Sequence, residues 1–151
     1  MIIMETKVCG DRAGRIVDRL PMDGANIANS IGLSGGLWLL WDSSQVEVVE
    51  LSSTEQEIHA TVSSSSKPLW LLSAIYGSPR FEERCLLWEN LNSVAKLHAI
   101  PCVITGDFNK VLMGDDKFGG RPVNLGRALW FQECLDNCNM IDIGFSGPRY
   151  T

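Results

Sequence analysis

Residues 103–112, VITGDFNKVL, run from an apolar segment straight into an acid, an aromatic and an amide. Val103 and Ile104 read as the end of a buried strand, and Gly106 marks the turn that follows it. Asp107 and Asn109 stand two residues apart. In an extended segment alternate residues share a face, so both point the same way while Phe108 turns inward to anchor the turn. Polar side chains at the end of a buried strand fit an open α/β sheet, whose ligands sit in the crevice beyond the strand ends.

The same context recurs twice upstream. Glu5 ends the apolar run MIIM, and Tyr76 ends LWLLSAI. Between them, DRAGRIVDRLP has weak helical periodicity up to Pro21, and residues 22–36, rich in Gly, Asn and Ser, read as loop. GLWLLWD, QVEVVEL and EQEIHATV are short strands. In the third, Ile58, Ala60 and Val62 alternate with Glu57, His59 and Thr61, which predicts a sheet with one wet face.

The segment from Ser78 to His98 is the strongest helix. Ser78 suits a cap, Pro79 the first helical position, and Glu82 and Glu83 the positive end of the dipole. Phe81, Cys85, Trp88, Leu91 and Ala95 form its apolar stripe. PCVITGD is the next buried strand. A Gly-rich loop leads to a second helix with Asn124 as cap and Ala128, Phe131, Leu135 and Cys138 inward, and GFSGPRYT begins a last strand. Strands in series, then strands alternating with helices, predict mixed sheets flanked by helices: an α/β sandwich.

A chain of 151 residues can form one domain with a real core. Its net charge of −5 gives no basic surplus for non-specific grip on a polyanion. Five cysteines without a CxxC pair indicate reduced thiols inside a cell, and Cys134 and Cys138, four apart, read as helix packing. MIIMETK lacks the pattern of a secretory leader, and LWLLW is far too short to span a bilayer. The expectation is an intracellular protein, nuclear or cytoplasmic, with no membrane and no obligate protein partner.

If the three strand ends are neighbours, Glu5, Tyr76, Asp107 and Asn109 converge. Two carboxylates, Glu5 and Asp107, suit a hard divalent ion such as Mg²⁺, or Mn²⁺, which keeps several waters. Such an ion polarises a phosphoryl oxygen and generates hydroxide, while Tyr76 and Asn109 donate to phosphate oxygens without adding charge. The plain alternative is that each polar residue caps a strand.

METK, AIYGSP and ITGDFN, in this order and with these gaps, resemble the endonuclease/exonuclease/phosphatase superfamily. The wording of GGLWLLWD, GDFNKVLMGDDKFGG and RALWFQECLDNCNMIDIGFSGPRYT is most similar to the endonuclease domains of plant LINE-type retrotransposons. The resemblance covers nearly the whole chain and implies a four-layer α/β sandwich. It also implies Mg²⁺- or Mn²⁺-dependent hydrolysis of a phosphodiester, with DNA nicked to leave a 3′-hydroxyl. Glu5 then corresponds to the metal-binding glutamate and Tyr76 to the tyrosine on the scissile phosphate. Asp107 and Asn109 match the pair that orients the attacking water and holds the phosphate.

The departures from the pattern are informative. The superfamily opens with a strand carrying an asparagine and closes with a Ser-Asp-His motif, and this sequence contains neither. The expectation is therefore a domain cut at both ends, over residues 1–151, with weak or absent nuclease activity. His59, on the polar face of its strand, and His98, at a helix end, are expected at the surface, with no part in the chemistry. Lys110 stands where the retrotransposon branch carries an acid, and Cys102 where it carries a bulky apolar residue. Two other readings remain: a retrotransposon-derived remnant or binding module without activity, and a metal-dependent phosphatase of the same superfamily.

Overall fold

The structure, a computed structural model, describes residues 1–30, 35–109 and 124–143. In chain order the elements are β1 (Ile2–Met4), α1 (Gly10–Val17), β2 (Gly24–Ala28), β3 (Leu37–Trp41), β4 (Glu47–Ser53), β5 (Glu57–Ser64), β6 (Lys67–Tyr76), α2 (Phe81–Leu97), β7 (Cys102–Asp107) and α3 (Leu125–Asn137). They make two sheets, one ordered β1-β3-β2 and one ordered β4-β5-β6-β7. Every pairing is antiparallel except β6 with β7, which run parallel because α2 carries the chain back between them.

Three apolar clusters hold the layers together, one at each interface. α1 covers the first sheet through Ala13 and Val17 against Trp38 and Leu40. The two sheets meet through Leu37 and Leu39 on one side and Ile58, Ala60, Val62, Leu72, Ala74 and Tyr76 on the other. α2 and α3 cover the outer face of the second sheet through Leu87, Trp88, Leu91, Phe131, Cys134 and Cys138. The order is helix, sheet, sheet, helices, an α/β sandwich. Because β3 contributes alternate residues to two clusters, its run LWLLW is apolar on both faces.

Four details differ from the sequence reading. Residues 24–28, read as loop, form strand β2. Its weak propensity is offset by five paired positions on β3 and by Trp41, whose ring occupies the space a side chain at Gly24 would need. PCVITGD is an edge strand rather than a buried one, with Val103 44% exposed, because β7 has one described neighbour and helices on one face only. Helix α2 begins two residues after the expected Pro79, with Arg80 in the cap position. Ser78 accepts from the Arg80 amide and donates to Glu83. The second helix is as expected, with the Asn124 side chain accepting from the Arg127 amide and Ala128, Phe131 and Cys138 buried. Lys110, the loop after it and the strand expected in GFSGPRYT lie outside the described residues.

The fourth difference is the expected wet face of β5. Glu57 and His59 are each 1% exposed, because α2 lies across that face. His59 Nε2 meets Glu57 at 2.9 Å and its Nδ1 meets Ser73 Oγ at 2.8 Å, while Asn90 of α2 donates to the other Glu57 oxygen at 2.5 Å. Alternation predicted the side correctly and the solvent wrongly. A buried polar chain of this kind is stable only while every member keeps its partner. Replacing Glu57 alone by Leu leaves the buried His59 without its carboxylate partner and should cost about 3 kcal/mol in urea unfolding. The double replacement Glu57→Leu/His59→Leu should recover much of it.

Candidate functional site

The register of β6 on β7 ends with Tyr76 opposite Asp107, so the two strands deliver a phenol and a carboxylate to the same rung. Gly106 makes this possible. Its φ is +142°, and a Cβ there would lie 1.9 Å from the Ile75 carbonyl oxygen, so a side chain would force the last rung apart. At this rung β1 reaches over from the other sheet. The Asp107 amide lies 3.2 Å from the Met4 sulfur, and Glu5, the next residue, accepts a 2.7 Å hydrogen bond from the Tyr76 hydroxyl. Glu5 and Lys7 hold left-handed backbone, φ +52° and +53°, kept in place by amide bonds from Thr6 and Lys7 to Gly36 and Gly35.

Asp107 and Asn109 are brought together, though by a different route from strand alternation. Asn109 has φ +47°, a conformation that Asn tolerates, and its amide donates to Asp107 Oδ1 at 2.8 Å. This is a side-chain-closed turn. Its central residue, Phe108, packs against both Trp88 and Phe131 at centroid distances of 6.2 and 5.1 Å, as the anchoring role requires. The Asn109 side chain donates to the Gly77 carbonyl at 2.7 Å. It braces the neighbouring strand end.

Burial, and then the hydrogen bond and charge of Glu5, push the Tyr76 pKa up from 10 to about 12. The phenol is therefore a neutral O–H donor across the physiological range. The Asp107 charge acts in the same direction, which puts both carboxylates within electrostatic reach of one hydroxyl. Glu5 and Asp107 are exposed, while Tyr76 is 7% exposed, so the acids face outward around a buried phenol. Beside it opens a pocket of about 250 Å³ lined by Gln56, Tyr76, Ser78, Arg80 and Glu83 among others.

α2 and α3 add polarity to this end. Phe81 meets Trp130, Trp88 stacks on Phe131, and Cys138 Sγ lies 3.5 Å from Asn92 Oδ1, so contacts advance together along both helices and the helices run parallel. Their N-termini both lie at the end where β6 and β7 finish, the positive end of each dipole.

No model of a known protein family matches the chain, and no curated protein matches it.

Among the described residues no group of three or more His, Cys, Asp or Glu side chains is placed to hold a metal. Two exposed carboxylates, Glu5 and Asp107, are the residues of this site whose chemistry could hold a hard divalent ion, with most positions left to water. Glu5 Oε1 and Asp107 Oδ1 are engaged by Tyr76 and Asn109, and among the described residues no hydrogen bond reaches Oε2 or Oδ2. Both histidines of the chain lie elsewhere: His59 under α2, and His98 at the C-terminal cap of α2, the end remote from Tyr76. Sequence reasoning missed Gln56 and Arg84, which are buried against the turn that follows Tyr76. A buried charge inside an amphipathic helix leaves no periodic signal to find.

The raised phenol pKa has a stability consequence. A group whose folded-state pKa lies above its ordinary value stabilises fully below the ordinary value and loses that contribution as pH climbs through the folded one. For Tyr76 the window runs from pH 10 to about 12. Urea unfolding of the wild type should lose stability over that window relative to Tyr76→Phe, and parallel curves would show that the phenol is not perturbed.

Proposed function

We propose that this end of the sandwich binds a divalent cation and a phosphodiester, and that the chain is a metal-dependent phosphodiesterase of the DNA-endonuclease type. The observation that carries the reading is the convergence of Glu5, Tyr76, Asp107 and Asn109 from three strand ends in two sheets. The resemblance of METK, AIYGSP and ITGDFN to the endonuclease/exonuclease/phosphatase superfamily, nearest to plant LINE-type endonuclease domains, supports it.

When bound at Glu5 and Asp107, Mg²⁺ or Mn²⁺ supplies Lewis acidity toward a phosphoryl oxygen and an acidified water. The chain's own residues do the remaining work. Glu5 and Asp107 fix where positive charge can sit on an otherwise acidic protein, so DNA affinity depends on the metal. Tyr76, its pKa pushed up to about 12, is neutral at physiological pH and would donate its O–H to a phosphate oxygen that replaces Glu5 as its acceptor. Asp107 would orient the attacking water beside the ion it helps to hold. Asn109 holds the carbonyl of Gly77, the residue next to Tyr76, so that donor and acceptor keep their spacing.

The rate is expected to be low. General acid–base catalysis by a positioned imidazole is worth roughly 10²–10⁴-fold, and neither histidine of this chain reaches the site. Supercoiled plasmid incubated with Mg²⁺ should be nicked slowly, at a rate abolished by EDTA and by Asp107→Ala. Equal rates for wild type and Asp107→Ala would remove the nuclease reading and leave a binding module.

A further inference from the structure

α2 buries Arg84, Leu87, Trp88 and Leu91 on one face, so an arginine occupies a position in the stripe where its neighbours are apolar. Arg84 is 5% exposed. Among the described residues its Nε has no hydrogen-bond partner and no carboxylate lies at ion-pair distance from it. The charge it feels most from a neighbour is that of Arg127, which has the same sign and whose guanidinium rests 4.4 Å from the Phe81 ring centre. A buried guanidinium in such surroundings costs stability, and a methionine or leucine would pack there without that cost. The group must therefore do something that packing does not.

What it does is visible in the turn after β6. Arg84 Nη1 donates to the Ser78 carbonyl. The Ser78 amide donates to Gln56 Oε1 at 2.8 Å, and Gln56 Nε2 donates to the Glu83 carbonyl at 2.9 Å, tying the turn to the first turn of α2. The Gly77 amide donates to the Asp107 carbonyl at 2.7 Å, and the Gly77 carbonyl accepts from Asn109. The Tyr76 amide is held by the Gln56 carbonyl at 2.7 Å. Every amide and carbonyl of Gly77 and Ser78 is thus engaged, three of the four by a side chain, and three elements contribute. A turn with this many partners has one position, and Tyr76 is the residue it follows.

We infer that Arg84 and Gln56 are positioning residues, which clamp the carbonyl and amide of Ser78 and so set where the Tyr76 phenol sits relative to Glu5 and Asp107. The inference rests on Tyr76 belonging to the reacting site, yet its test uses neither metal nor DNA. Arg84 is kept as an arginine because its planar guanidinium reaches the Ser78 carbonyl from the core side. A displacement of about 1 Å at such a centre costs a hundredfold in rate, which explains why a destabilising charge is kept.

The test reads the turn and the place of the phenol ring by NMR of isotopically labelled protein. Arg84→Met should speed hydrogen exchange at the Gly77 and Ser78 amides several-fold and shift the Tyr76 ring resonances, with a melting temperature unchanged or higher. Arg84→Lys, which keeps one donor, should restore part of the protection and of the ring shifts. Should Arg84→Met not fold, Gln56→Met attacks the other side of Ser78 and carries the same expectation. Exchange at Gly77 and Ser78 and Tyr76 ring shifts that stay at their wild-type values in a folded variant overturn the inference, whatever the melting temperature does. A failed nicking assay leaves it standing, and an unmoved turn removes it even where nicking succeeds.

Discussion

β6 and β7 end on the same rung, and the site depends on that register. Parallel pairing places Tyr76 opposite Asp107, and a slip of one residue would turn one of them to the other face of the sheet. The register is bought by Gly106, whose missing side chain lets the last rung close. From that rung the rest follows. Phe108 packs against Trp88 and Phe131, Asn109 turns back onto Asp107 and Gly77, and β1 reaches across to put Glu5 on the phenol. The sandwich serves mainly to hold two sheets so that one end of each arrives at the same place.

A good deal of this was legible in residue order. Three apolar runs, each ending in a polar residue, announced three strand ends, and the apolar stripes of α2 and α3 were read from periodicity with errors of a turn or less. What was not legible is what one element does to another. His59 and Glu57 alternate with Ile58 and Ala60 as a wet face should, and only the placement of α2 makes that face dry. β2 is weak by propensity and exists because β3 offers an edge and Trp41 a ring to lie on Gly24. Tertiary context overrode local preference in both cases.

The site shows the same division. The residue types and their strand-end positions were readable, whereas the bracing was not. Asn109 was expected on phosphate, and its side-chain amide is engaged by the Gly77 carbonyl. The Asp107–Asn109 pairing depends on a left-handed residue and a closed turn, not on extended alternation. Arg84, Gln56 and Asn109 form a second tier whose members come from α2, from the turn before β5 and from the turn after β7. Such a tier carries no motif, because its partners are backbone atoms that any sequence supplies.

The central claim is that Glu5 and Asp107 share one divalent cation at the rung where β6 and β7 end. Paramagnetic Mn²⁺ titrated into isotopically labelled protein tests it most directly, since relaxation falls off steeply with distance. The account predicts saturable broadening centred on the backbone amides of Glu5, Tyr76 and Asp107, competed by Mg²⁺ and lost in Glu5→Gln. Broadening centred elsewhere on the acidic surface, or unaffected by Glu5→Gln, would contradict it.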